Sequence, residues 1–214
     1  MALFCWGRVG RWPWQIPCAQ RNSARTRDYL EAITGNSLDH VQAYTAALHK
    51  GWLPDNVRPE AAQEQISKIL ESPSSFVASL DDPIAQAGPV TLPDGSKVPR
   101  LPSIRRWIWD DGFCGHISLR CKPGTEDLPP TCLGHIGYAV VPWRQREGLA
   151  TAAVVGMLPE AKAVGLRFVV ITTNPANVAS VRVIEKAGGV FVKRYRADKA
   201  VGGHETLHYE IALT

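Results

Sequence analysis

A chain of 214 residues can bury one good core, and its 45% apolar and 21% charged residues are ordinary for a soluble globular protein. No apolar run is long enough to cross a bilayer, and no secretory hydrophobic region follows the N-terminus. The formal charge of +4 is concentrated in residues 1 to 27, which hold five arginines (Arg8, Arg11, Arg21, Arg25, Arg27) and no acid; the rest is near neutral, which excludes a basic nucleic-acid footprint on the folded body.

Residues 1 to 27 show neither helical nor alternating periodicity. They read as a disordered or non-native N-terminal extension in preference to a targeting segment, with the folded domain spanning 28–214. "DYLEAIT" predicts a first strand over 28–34. Apolar residues at Leu38, Val41, Tyr44 and Leu48 predict an amphipathic helix capped by Ser37, and "RPEAAQEQISKIL" a second with Pro59 at its first position. "SPSSFVASL" predicts a short helical turn. "VTLPDGSKVP" reads as a turn, and "IRRWIWDDGFCGHISLR" as two strands joined through Asp110-Asp111-Gly112. "LGHIGYAVV" (133–141) is apolar on both faces, hence a central strand. A helix follows to about Val164, with Gly165 just past its end and Pro159 inside it. "RFVVITT" (167–173) is a buried strand, "NPANVASVRVIEKAGG" a helix, and "VFVKRYR" and "HETLHYEIAL" two closing strands. The expected fold is mixed α/β, with about four helices. Five cysteines at irregular spacing (Cys5, Cys18, Cys114, Cys121, Cys132) indicate free thiols in a reducing, cytoplasmic setting.

The stretch "AVVPWRQREGLAT" carries the chemistry. A strand feeding directly into a helix leaves about four backbone N–H groups unpaired at the positive end of the helix dipole. Gly148 lets an anion approach the backbone, Ala150 is small for the same reason, and Arg144 and Arg146 add positive charge, so the turn describes a cradle for a diphosphate. A Walker loop would need Gly-Lys-Ser/Thr, which is missing. Asn177 and Ser180 begin the following helix one turn apart and can face the same cleft.

"GHIGYAVVPWRQREGLA" followed by "TTNPANVASVRVIEKAGG" resembles, in order and spacing, the GNAT N-acetyltransferase superfamily. Within it, the chain is similar to a bacterial branch whose helix reads Asn-x-x-Ser-x-x-Val-Ile-Glu-x-x-Gly-Gly. The resemblance covers about residues 29 to 214. It implies a mostly antiparallel sheet splayed between two parallel middle strands, 133–141 and 167–173, with acetyl-CoA as cosubstrate in the opening and no metal. The pantetheine arm would pair with the backbone near Ala139, Val140 and Val141. The pyrophosphate would meet the amides of Arg146, Glu147, Gly148, Leu149, Ala150 and Thr151, and Asn177 would hydrogen-bond the arm.

The implied activity is direct transfer of an acetyl group to a primary amine, with a small molecule, a peptide or a protein N-terminus as acceptor, neither nucleic acid nor membrane as partner, and a homodimer left open. The amine must lose a proton before it attacks. His135 stands where many family members carry a glutamate and is the expected base, with His116 second. The expected oxyanion donor is the amide of Val140 or Val141. Many relatives place a proton-donating tyrosine four residues after the serine, where this chain has Ile184; Tyr138 and Tyr195 are the substitutes on offer. That departure keeps alive a second reading, a non-catalytic acyl-CoA sensor. Cys114-x-His116 and Cys132-x-x-His135 match no structural zinc spacing. Trp52, Trp107, Trp109 and Trp143 are candidates to line the acceptor side, and loop acids Asp81, Asp82, Asp110 and Asp111 could attract a cationic amine.

Overall fold

The computed structural model describes residues 33–55 and 58–213, so the N-terminal extension and most of the strand expected at 28–34 lie outside the described residues. In chain order the elements are β1 (Ile33–Thr34), α1 (Val41–His49), α2 (Ala61–Glu71), α3 (Pro73–Ala78), β2 (Val90–Thr91), β3 (Lys97–Val98), β4 (Ser103–Trp109), β5 (Phe113–Arg120), β6 (Ile136–Val140), α4 (Leu149–Ala163), β7 (Phe168–Thr173), α5 (Val178–Lys186), β8 (Val190–Arg196) and β9 (Glu205–Ala212). The described residues thus form five α-helices, one more than expected. Ser72 accepts a hydrogen bond from the Ser75 amide and Pro73 takes the first helical position, which makes 73–78 a helix in its own right. Pro59, by contrast, sits two residues before α2, in a turn closed by the Ala61 N–H on the Arg58 carbonyl.

Ser37 caps a single 3₁₀ turn that leads into α1, whose buried Val41, Tyr44, Ala47 and Leu48 share one helix face. That face joins Trp52, Phe76, Trp107 and Phe113 in an aromatic core, with the Tyr44 ring stacked on Trp107 at 5.1 Å. A second core lies on the other side of the sheet, where Ala153, Val154, Met157 and Ala161 of α4 meet Ile108, Ile117, Ile136 and Ile171. β5 is buried almost throughout because helices cover both its faces.

The main strands form two antiparallel sheets, ordered β1-β4-β5-β6 and β7-β9-β8. They meet where β6 begins. The His135 N–H donates to the Val170 carbonyl at 2.8 Å, and the Val170 N–H donates to His135 Nδ1 at 2.9 Å. Gly134 permits this approach, since a Cβ there would lie 3.0 Å from the Val170 oxygen. No ladder joins Ile136–Val140 to β7 among the described residues, so the array opens beyond His135. The strand expected over 133–141 is regular only over 136–140, because its first residues are occupied in this junction.

Candidate active site

The opening between β6 and β7 is a cleft of about 1310 Å³. Its walls are β6, residues 171–173 of β7, one side of α5, the turn from Pro142 to Thr151, and Gly51–Leu53 beyond α1.

The turn is built for close backbone approach. Gly148 caps α4 at φ +84°, a left-handed conformation that suits glycine, and Arg146 is also left-handed at +69°. No side chain caps α4. Its first internal bond runs from the Ala152 N–H to the Gly148 carbonyl, 3.0 Å, so the amides of Leu149, Ala150 and Thr151 are left over at the cleft wall. Arg144 departs from expectation. Its guanidinium binds the carboxylate and carbonyl of Asp110 and, at 2.8 Å, the Glu147 carboxylate, so its charge is neutralised within the protein. Glu147 is therefore turned away, and Arg146 is the turn's exposed cation with no ion pair among the described residues.

Ala139, Val140, Arg146, Gly148, Leu149, Ala150, Thr151, Asn177 and Ser180 all line the cleft; Glu147 and Val141 do not. Val141 is fully buried in the aromatic core and its N–H donates to the Cys114 carbonyl at 2.8 Å, which removes it as an oxyanion donor. Asn177 Oδ1 accepts the Ser180 amide at 3.0 Å as the cap of α5, leaving its Nδ2 for other partners. The Ser180 hydroxyl pairs with the Tyr138 phenol at 2.8 Å. Burial raises the Tyr138 pKa above the usual phenol value, so it stays protonated. Ile184 is fully buried in the core, and Tyr195 lies outside the cleft lining.

Neither expected base is a cleft-lining group. His135 is fully buried and held to Val170, and burial lowers its pKa to about 4. His116, the second candidate, is 6% exposed, with its ring edge-on to Trp52 at 5.4 Å; burial, then Arg105 and Arg120, hold its pKa well below the ordinary value. Of the tryptophans, Trp52 lines the cleft, Trp107 is core, Trp109 stacks on His40 at 3.9 Å, and Trp143 is exposed beneath Lys50. The loop acids are also corrected. Asp81 binds Arg106, Asp82 lies 3.7 Å from Arg100, and Asp110 binds Arg144, while Asp111 is an exposed turn residue. Among the described residues no group of three or more His, Cys, Asp or Glu side chains could hold a metal ion.

A family model described as an acetyltransferase (GNAT) domain matches residues 25–190. The chain belongs to the GNAT acetyltransferase family. No curated protein sequence matches it. Solved structures similar to this GNAT chain include the microcin C7 self-immunity acetyltransferase MccE with acetyl-CoA and AMP (12% identity, 84% of this chain and 91% of that one, TM-score 0.54). Another is the ribosomal L7/L12 alpha-N-protein acetyltransferase RimL with coenzyme A (15%, 85% and 93%, TM-score 0.56), and a third a probable acetyltransferase (17%, 84% and 91%, 0.51). At these identities the likeness is one of fold.

Proposed function

We propose that this GNAT protein transfers an acetyl group from acetyl-CoA to a primary amine by direct attack. The observation that carries the reading is the turn at Gly148, whose leftover amides open onto a cleft between two unpaired strand edges. Two of the similar structures hold acetyl-CoA or coenzyme A, which supports the same ligand here. The amides of Leu149 to Thr151 would hold its pyrophosphate, the edge of β6 at Ala139 and Val140 its pantetheine arm, and Asn177 Nδ2 would donate to that arm. Bound there, acetyl-CoA supplies an acetyl group activated as a thioester.

The chain's own groups then divide the work. The Val140 amide remains to stabilise the oxyanion once Val141 is committed elsewhere. Tyr138 is the protonated phenol in the cleft wall, and we assign it the role of donating a proton to the departing sulfur, in place of the tyrosine that Ile184 displaces. His135 is not assigned the base, because protonating Nδ1 would set an N–H against the Val170 N–H. The amine gives its proton to water, so the rate should rise with pH toward the amine's own pKa. The free thiols Cys114, Cys121 and Cys132 support a reducing, cytoplasmic location.

Calorimetry with acetyl-CoA, followed by thiol release over a panel of amines, tests the proposal. Binding with turnover is expected. Binding without turnover on any amine would favour the sensor reading, which the loss of the usual tyrosine motivates. Tyr138→Phe should lower kcat by about 100-fold with coenzyme affinity retained.

A further inference from the structure

Among the described residues, Arg105 and Arg120 are the arginines that are neither exposed nor ion-paired; every other half-buried arginine has a carboxylate. They stand on one face of neighbouring strands. Arg105 is in register with Ser118, and Arg120 follows two residues later. Arg120 Nη2 donates to Ser118 Oγ at 3.3 Å and covers Gly137, where a Cβ would come within 2.8 Å of it. Gly137 lines the cleft, so this guanidinium packs directly behind a side-chain-free stretch of the cleft wall. Two residues the other way on the same face is His116, whose buried Nδ1 has no hydrogen-bond partner. Its ring meets Trp52, which lines the cleft beside Gly51 and Leu53. Burial weighs most against the Arg105 cation; the charges of Tyr44 and Asp55 favour it and that of Arg120 opposes it.

Two like charges half-buried side by side are costly without a counter-anion. The loop acids that could have served are already bound to Arg100, Arg106 and Arg144. A planar guanidinium screened from the cleft only by a glycine suits carboxylate or phosphate, to which it can give two parallel hydrogen bonds. We propose that the acceptor amine carries an oxyanion group, a carboxylate or a phosphate, that docks on Arg120 and Arg105 with His116 in hydrogen-bonding reach. This rests on the acetyltransferase reading above and names the substrate class. It also reverses the expectation of an acid-lined site for a purely cationic amine.

Matched acceptors test it: an α-amino acid against its amide, and phosphoethanolamine against ethanolamine, with acetyl-CoA saturating. At least one anionic member should exceed its neutral partner by about tenfold or more in kcat/KM, and the better pair tells carboxylate from phosphate. Arg120→Met should erase that preference while acetyl-CoA affinity stays within about twofold by calorimetry. Arg120→Lys, which keeps the charge but loses the fork, should retain part of it and guards against a folding defect in the first variant. Neutral acceptors used as well as anionic ones, no turnover of any anionic acceptor, or a preference surviving Arg120→Met would overturn the proposal. Failure of the wild-type protein to bind acetyl-CoA would instead bring down the coenzyme reading.

Discussion

His135 shows how one side chain can stand in for a strand's hydrogen-bonding edge. Its ring nitrogen accepts a backbone N–H that a regular ladder would have given to a carbonyl. The ring must then be neutral with its other nitrogen protonated. Burial sets its pKa near 4 against about 6.5 in an unfolded chain. Between those values the unfolded chain binds a proton that the folded one refuses. Stability is therefore whole above pH 6.5 and declines as pH falls toward 4, by on the order of 3 kcal/mol from this group. His135→Asn, whose side-chain oxygen can accept the same N–H, should flatten that decline in urea titrations, although His116 contributes a slope of the same sign. His135→Ala leaves the Val170 amide unsatisfied and a cavity beside it, and should cost about 2–4 kcal/mol at pH 8. An unchanged pH profile of stability in His135→Asn would refute this assignment. None of this was legible in the sequence, where a histidine on a central strand reads equally well as base or filler; its partner is 35 residues away.

Elements, unlike that contact, were readable from periodicity and caps. Ser37, the Asp110–Gly112 turn and Gly165 fall where their chemistry requires, and α1, α4, β4, β5 and β7 to β9 match within a few residues. The misreadings are instructive. α5 begins at Val178 instead of 174 because Asn174 first closes its own turn, its side chain accepting the Ala176 amide and its carbonyl the Asn177 amide. The loop acids were misread because their arginines come from other elements. Arg106 on β4 forms a two-pronged pair with Glu160 of α4 (3.0 and 2.9 Å) and also grips Asp81, fixing the helix against the sheet. Arg106→Met strands a half-buried Glu160 and should lower stability by about 3 kcal/mol in denaturant titrations. At the other end of the same helix, Gly148→Val has room for its Cβ but must hold φ near +84°, which a β-branched residue resists. Acetyl-CoA affinity should fall by at least about tenfold in that variant, with the strain also lowering the melting temperature by a few degrees; equal affinity would remove the turn from the coenzyme site.

At the scale of the molecule, the two main sheets meet, among the described residues, at the His135–Val170 junction, and the gap between them is the proposed working part. A ligand that bridges the gap binds the folded protein alone. Acetyl-CoA at 100 times its Kd should therefore add about 2.7 kcal/mol to the unfolding free energy, readable as a rise in Tm that coenzyme fragments lacking the pyrophosphate fail to match. The layout of the gap was legible because the strand-to-helix turn and the capped helix after β7 are local patterns. The proposed acceptor side was not, because Arg105, Arg120 and His116 come together only when β4, β5 and β6 lie side by side. Arg144 links these levels once more. By holding Asp110 at the tip of the β4–β5 hairpin and Glu147 in the turn before α4, it makes the hairpin tip a shim beneath the proposed coenzyme seat. One residue inserted between Asp110 and Gly112 would tilt that seat from outside, altering grip on the cofactor while leaving both cores as tightly filled as before.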